Sequence, residues 1–205
     1  MDNFRAFRID EQEGNIVAGF QELSLDDLTE GNVVVRVTHS TINYKDALAA
    51  TGKGRILRRY PLNGGIDFAG VVVSSEDEEF QPGTEVLMNG CGLSETKDGG
   101  YSEYARVDSE GLVPVPQGIN CFDAMQLGTA GYTAALAIHR MEQNGQAPDL
   151  GPVVVTGATG GVGSIAVDML AGRGYDVVAV TGKASEEDYL RKIGANRILL
   201  REDID

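Results

Sequence analysis

The run Val153-Val154-Val155-Thr156-Gly157-Ala158-Thr159-Gly160-Gly161-Val162-Gly163 sets the tightest limit on what this chain can fold into. Three β-branched valines behind Pro152 are too short and too stiff for a helix and read as a buried strand, whereas the GSIAVDMLAGRG that follows carries helical spacing. Strand, glycine turn and helix make half of a βαβ unit, whose turn amides and helix N-terminus face outward together and favour a phosphate. Gly157 then permits the tight turn, Gly160 the close approach of a diphosphate, and Gly163 the packing of helix on strand. Thr159, Gly161 and Val162 complete the candidate cradle. A lone glycine pattern is a weak signal, and a glycine-rich turn that binds nothing fits it as well.

Composition removes several function classes. With 31 acidic residues against 17 basic ones, a net charge of −14, the chain lacks the clustered cations that a nucleic-acid backbone requires. No apolar run approaches the ~20 residues of a membrane span and the N-terminus has no signal-peptide core, so a cytoplasmic protein is expected. Cys91 and Cys121 have no metal or redox spacing, and neither is given a role. The acidic block Ser74–Phe80 reads as a solvated loop between strands.

The first ~120 residues are mostly short strand-like runs (RAFRI, NVVVRVTHSTI, IDFAGVVVSS, TEVLMNG, YSEYARV, LVPVP) separated by turn residues, a pattern that suits a small bent sheet or barrel. One helix, Asn43 to Gly52, interrupts them. From Cys121 the character changes to a helix and then to strand 152–156, helix 161–172, strand 176–180, helix 185–193 and strand 197–200, an α/β alternation with a parallel sheet. Two domains, 1–123 and 124–205, are expected. The alternation stops at its third strand, which leaves the strand at 153–156 with an apolar edge, so the chain is expected to be partial or that edge to be covered.

Several stretches together resemble the medium-chain dehydrogenase/reductase superfamily, in its zinc-independent group of acryloyl-coenzyme A reductases and quinone oxidoreductases: STINYKDALAATGKG (40–54), GIDFAGVV (65–72), GTAGYTAALA (128–137), VVVTGATGGVGSIAV (153–167), VVAVTGK (177–183) and YLRKIGANRIL (189–199). The resemblance implies an N-terminal GroES-like β-rich catalytic domain, then the first half of a Rossmann doubly wound parallel sheet, in a homodimer. Gly64 departs from the group, which usually has proline before GIDFAG.

The superfamily also holds zinc enzymes. Two cysteines and two histidines cannot supply both a catalytic site and a four-cysteine structural site, and Asn43 and Ile66-Asp67 stand about where zinc enzymes place Cys and His-Glu, so no metal is expected. His39 and His139 read as packed or partly exposed. An NAD site would end its second strand with Asp or Glu; here Thr181-Gly182-Lys183 follows Val180, which admits a 2′-phosphate and points to NADPH. The resemblance adds Arg197 near that phosphate; for Lys183 and Arg197 ordinary surface cations are the alternative.

Without metal, reducing an activated C=C bond needs hydride at the β-carbon, stabilised charge on the carbonyl oxygen and a proton at the α-carbon. The resemblance implies that Tyr44 lies against the nicotinamide ribose, orienting the ring or relaying a proton; a tyrosine packed under the helix is the alternative. Asn43 is a candidate donor to a carbonyl, and Lys45 and Asp46 pair locally or cap the helix. Thr129 and Thr133 line the cofactor cleft or bond their own helix backbone. The expected activity is NADPH-dependent reduction of an enoyl thioester, acryloyl-coenzyme A foremost; a quinone oxidoreductase or a non-catalytic NADPH-binding relative are the alternatives. The pattern T-G-x-x-x-G-x-G from Thr156 also fits short-chain dehydrogenases, but their Tyr-x-x-x-Lys pair appears nowhere.

Overall fold

The computed structural model describes residues 3–204 and divides into two compact units, 1–129 and 130–205. In the first, β1 (Phe4–Gln12) and β2 (Asn15–Leu23) form an antiparallel hairpin extended by the two-residue β4 (Leu62–Asn63). A second antiparallel sheet follows the order β7-β3-β5-β6-β8, from β3 (Val33–His39), β5 (Asp67–Ser75), β6 (Glu85–Asn89), β7 (Tyr104–Val107) and β8 (Val113–Pro114). Side chains alternate across β5: Phe68 and Val72 enter a core with Val33, Val35, Val86, Met88 and Val107, while Ala69 on the other face packs under Cys121 and Met125.

Strand β2 has no counterpart among the sequence expectations. Its exposed residues hide the alternation, and its hairpin turns at Glu13-Gly14, with φ of 51° and 80°, in place of the Asn-Gly or Asp-Gly that usually marks such a turn. The segment STI, read as the end of a strand, is loop. Of the acidic block, Ser74 and Ser75 end β5, and only residues 76–80 are loop, anchored by buried Phe80.

Helix α1 (Tyr44–Thr51) starts from Asn43 as N-cap and stops at left-handed Gly52. Helix α2 (Cys121–Gln143) is broken at Gly128, whose φ of 51° and ψ of −152° leave the helical region. In the second unit β9 (Val153–Thr156), β10 (Val177–Thr181) and β11 (Arg197–Leu200) form a parallel sheet in the order β11-β10-β9. Helices α3 (Gly161–Gly172) and α4 (Glu187–Lys192) connect them, and Ile138, Val155, Val167, Leu170, Val177 and Leu190 fill the core. An antiparallel β-rich unit followed by a parallel α/β unit is the fold class read from the sequence. Among the described residues β9 is paired on one side only, and no helix is long and apolar enough to cross a membrane.

Candidate functional site

Two constellations carry chemistry, one in each unit. The first is the loop between β3 and α1. His39 lies opposite Ala69 in the β3–β5 register, so Thr41 falls beside Asp67. The Asp67 side chain is fully buried, and Thr41 reaches Oδ1 with its N–H (2.9 Å) and its hydroxyl (2.7 Å). Asp67 Oδ2 accepts from the Thr129 N–H (3.0 Å), the Thr129 hydroxyl (2.7 Å) and Asn43 Nδ2 (3.2 Å). Burial alone raises a carboxyl pKa, but the Thr41 and Thr129 donors outweigh it and hold Asp67 below the ordinary aspartate range.

A second carboxylate braces the same loop. Asp46, the N3 residue of α1, accepts from the N–H of Asn43 (2.8 Å) and of Ile66 (3.0 Å). Burial pushes its pKa up, against the pull of the Asn43 amide. Tyr101 donates its hydroxyl to the Thr41 carbonyl at 2.8 Å; burial, then the Asp46 charge, raises the phenol far above its usual range and keeps that donor protonated. The loop is thus pinned from below, while Ile42 and Tyr44 project outward, 89% and 81% exposed. Tyr44 is not packed under its helix. Asn43 differs from the expectation of a free carbonyl donor: its Nδ2 group is turned inward to Thr41 Oγ1 (2.9 Å) and Asp67 Oδ2, because the N-cap position points that side chain at the buried carboxylate.

The second constellation is the carboxyl edge of the parallel sheet. Gly157, with φ of 60°, closes the turn, and Gly160 is the N-cap of α3. The Ala158 N–H donates to the Val180 carbonyl (3.1 Å) and the Thr159 and Thr181 hydroxyls meet at 3.3 Å, which brings β9's turn beside the end of β10. The Lys183 N–H donates to Thr181 Oγ1 (3.0 Å), and its side chain is exposed. Thr159 to Gly163 and Thr181 to Lys183 therefore share one edge. This edge fits a dinucleotide diphosphate: a Cβ at Gly163 would stand 2.3 Å from the Gly157 carbonyl oxygen, so only glycine allows the turn to close over the helix start.

Arg197 is not brought to this edge. It pairs with Val178 near the start of the strands, and its guanidinium contacts Asp176 (3.1 Å) at the amino end of the sheet. The residue there instead is Arg201, which follows Leu200, the register partner of Thr181. In a parallel sheet a residue at a strand's carboxyl end, not at its start, lies on the edge that carries the glycine turn, and that count would have found it. Thr133 is exposed on the second segment of α2. His39 is half-buried edge-on against Phe122. Among the described residues no group of three or more His, Cys, Asp or Glu side chains is placed to hold a metal ion.

Residues 29–117 match the alcohol dehydrogenase GroES-like domain. With that match and the relatives below, the chain belongs to the medium-chain dehydrogenase/reductase superfamily. It is 49% identical, over 98% of its length, to the putative quinone oxidoreductase YhfP of Bacillus subtilis, and 49% identical, over 97%, to the probable acrylyl-CoA reductase AcuI of Escherichia coli. The yhdH oxidoreductase of Salmonella enterica, crystallised in complex with NADP, is 48% identical with a TM-score of 0.95 over 98% of this chain and 62% of that one. The chain spans 61% of the length of the two curated relatives.

Proposed function

We propose that the protein is an NADPH-dependent reductase of activated carbon–carbon double bonds, with acryloyl-coenzyme A or a related enoyl thioester as substrate. The observation that carries this reading is the carboxyl edge of the parallel sheet, where Thr181-Gly182-Lys183 takes the place of an acidic residue beside the glycine turn. The NADP complex of the Salmonella relative and the name of the Escherichia coli relative support it.

In this reading the turn amides around Gly160 hold the diphosphate, and the Thr181 hydroxyl, Lys183 and Arg201 meet the 2′-phosphate. The bound nicotinamide supplies a hydride to the substrate β-carbon, so that NADPH, a proton and the enoyl thioester give NADP and the saturated thioester. Tyr44, held outward by the braced loop, orients the ring or relays the proton to the α-carbon.

The test is absorbance at 340 nm with NADPH and acryloyl- or crotonyl-coenzyme A. Steady consumption of NADPH is expected. Consumption with quinones alone moves the acceptor to the class in the Bacillus relative's name; NADPH binding with no acceptor reduced makes the protein a sensor, and no binding ends the reading.

A further inference from the structure

We propose that Asp67 is a positioning residue for this site: its buried carboxylate holds the loop that carries Tyr44 and the helix end at Thr129 in one fixed arrangement. The inference rests on the reductase reading above and adds a residue to it.

The geometry around Asp67 is not that of an ordinary buried acid. None of the ion pairs of the described residues involves it; the partners named for it are neutral donors, namely the Thr41 N–H and hydroxyl, the Asn43 amide, and the Thr129 N–H and hydroxyl. An anion removed from water and compensated only by oriented dipoles is expensive to fold around, and a well-packed apolar side chain would fill the same space at less cost. What the carboxylate adds is orientation. It ties together two segments distant in sequence: the loop from β3 to α1, through Thr41 and Asn43, and the break in α2, through Thr129.

That break is built around it. A Cβ at Gly128 would stand 2.6 Å from Thr41 Cγ2 and 3.2 Å from Asp67 Oδ2, so the helix opens where the carboxylate enters, in a conformation that glycine tolerates. In an unbroken helix the Thr129 N–H would bond within the helix; here it turns to Asp67, which serves the new helix start as a cap donated by another strand, with its charge at the favourable end of the dipole. On the loop side, the same oxygens fix Thr41 and, through the Asn43 amide, the residue immediately before Tyr44. Removing the charge loosens Tyr44 and Thr129 together, while the sheet beneath keeps its core.

The test compares wild type, Asp67→Asn and Val72→Ala in the full-length protein, with acryloyl-coenzyme A and with NADPH carrying protium or deuterium at the transferred position. Val72 lies on the core-facing side of the same strand, and its truncation lowers stability without touching the site. Asp67→Asn turns one acceptor into a donor that faces either the Thr41 N–H or the Thr129 N–H. It is expected to lower kcat about 10- to 100-fold, as misplaced reacting groups do, without a matching change in KM, and to raise the deuterium isotope effect on kcat. Val72→Ala is expected to lower the melting temperature and leave kcat per folded molecule and the isotope effect at their wild-type values.

Wild-type kcat in Asp67→Asn, or a loss in proportion to the unfolded fraction with the isotope effect unchanged, overturns the proposal. Should Asp67→Asn not fold, Thr41→Val, which removes the hydroxyl joining Asp67 to Asn43, is read in the same way: unchanged kcat and isotope effect overturn it. A wild type that consumes no NADPH defeats the reductase reading itself, a result separable from either variant's.

Discussion

Alanine at Gly160 and at Gly163 separates what the glycine turn does for folding from what it does for a ligand. At Gly163 a methyl group would sit 2.3 Å from the Gly157 carbonyl oxygen and 2.8 Å from the Ala158 Cα, both backbone atoms that no rotamer change can move. Relief requires the turn to retreat by roughly 1 Å, an overpacking that costs about 1–3 kcal/mol. At Gly160 the nearest atom is the Gly157 oxygen at 3.2 Å and φ is −82°, so alanine is accommodated with a small adjustment. Because alanine also restricts the unfolded chain, stability there changes by less than about 1 kcal/mol in either direction. Gly160 is nevertheless exposed on the turn, where a diphosphate would lie against the backbone and an added methyl would hold it off. Gly160→Ala is therefore expected to unfold in urea as wild type does and to weaken NADPH at least tenfold, about 1.4 kcal/mol, by fluorescence titration. Gly163→Ala is expected to lose both stability and affinity. Wild-type affinity in Gly160→Ala would refute the cradle, and wild-type stability in Gly163→Ala would refute the packing argument.

Arg201→Ala is expected to reduce the preference for NADPH over NADH about tenfold or more, from the loss of a charge-assisted phosphate contact of roughly 1.5–3 kcal/mol, while Arg197→Ala leaves both affinities unchanged; competitive titration with the two nucleotides checks this. Asp98→Ala strands buried Arg8, its partner at 2.8 Å, and is expected to cost about 3–5 kcal/mol in chemical denaturation. In the native protein iodoacetamide is expected to label exposed Cys91 and spare Cys121, whose thiol burial holds in its protonated form, as peptide mass spectrometry will report.

Much of the parallel unit was legible because its signals are local. The valine run, the glycine turn and the helical spacing after it lie within twenty residues, and the structure places strand, turn and helix there with shifts of a residue or so. The site in the first unit was legible only in part. Asn43 and Tyr44 stand out as a short polar stretch after a strand, but the direction of the Asn43 amide depends on Asp67, 24 residues away, and on Thr41. Asp67 itself passed as a position where a zinc enzyme would differ, since nothing adjacent to it marks it as the hub of a network reaching Thr129, 62 residues on. The helix from Cys121 reads as continuous because a single glycine inside apolar helical spacing costs only ~1 kcal/mol; the break appears once Thr41 and the carboxylate are seen to occupy the space a side chain would need. Arg197 and Arg201 bracket the same strand, and the strand's bounds, legible in the sequence, already put Arg197 at its amino end and Arg201 at its carboxyl end.

On this structure the glycine turn and the end of β10 are expected to bind a phosphorylated dinucleotide. Titrating the purified protein with NADPH and with NADH, followed by nucleotide fluorescence, tests it most directly. Saturable binding with NADPH tighter than NADH is the expected result; no binding of either nucleotide, or tighter binding of NADH, would contradict it.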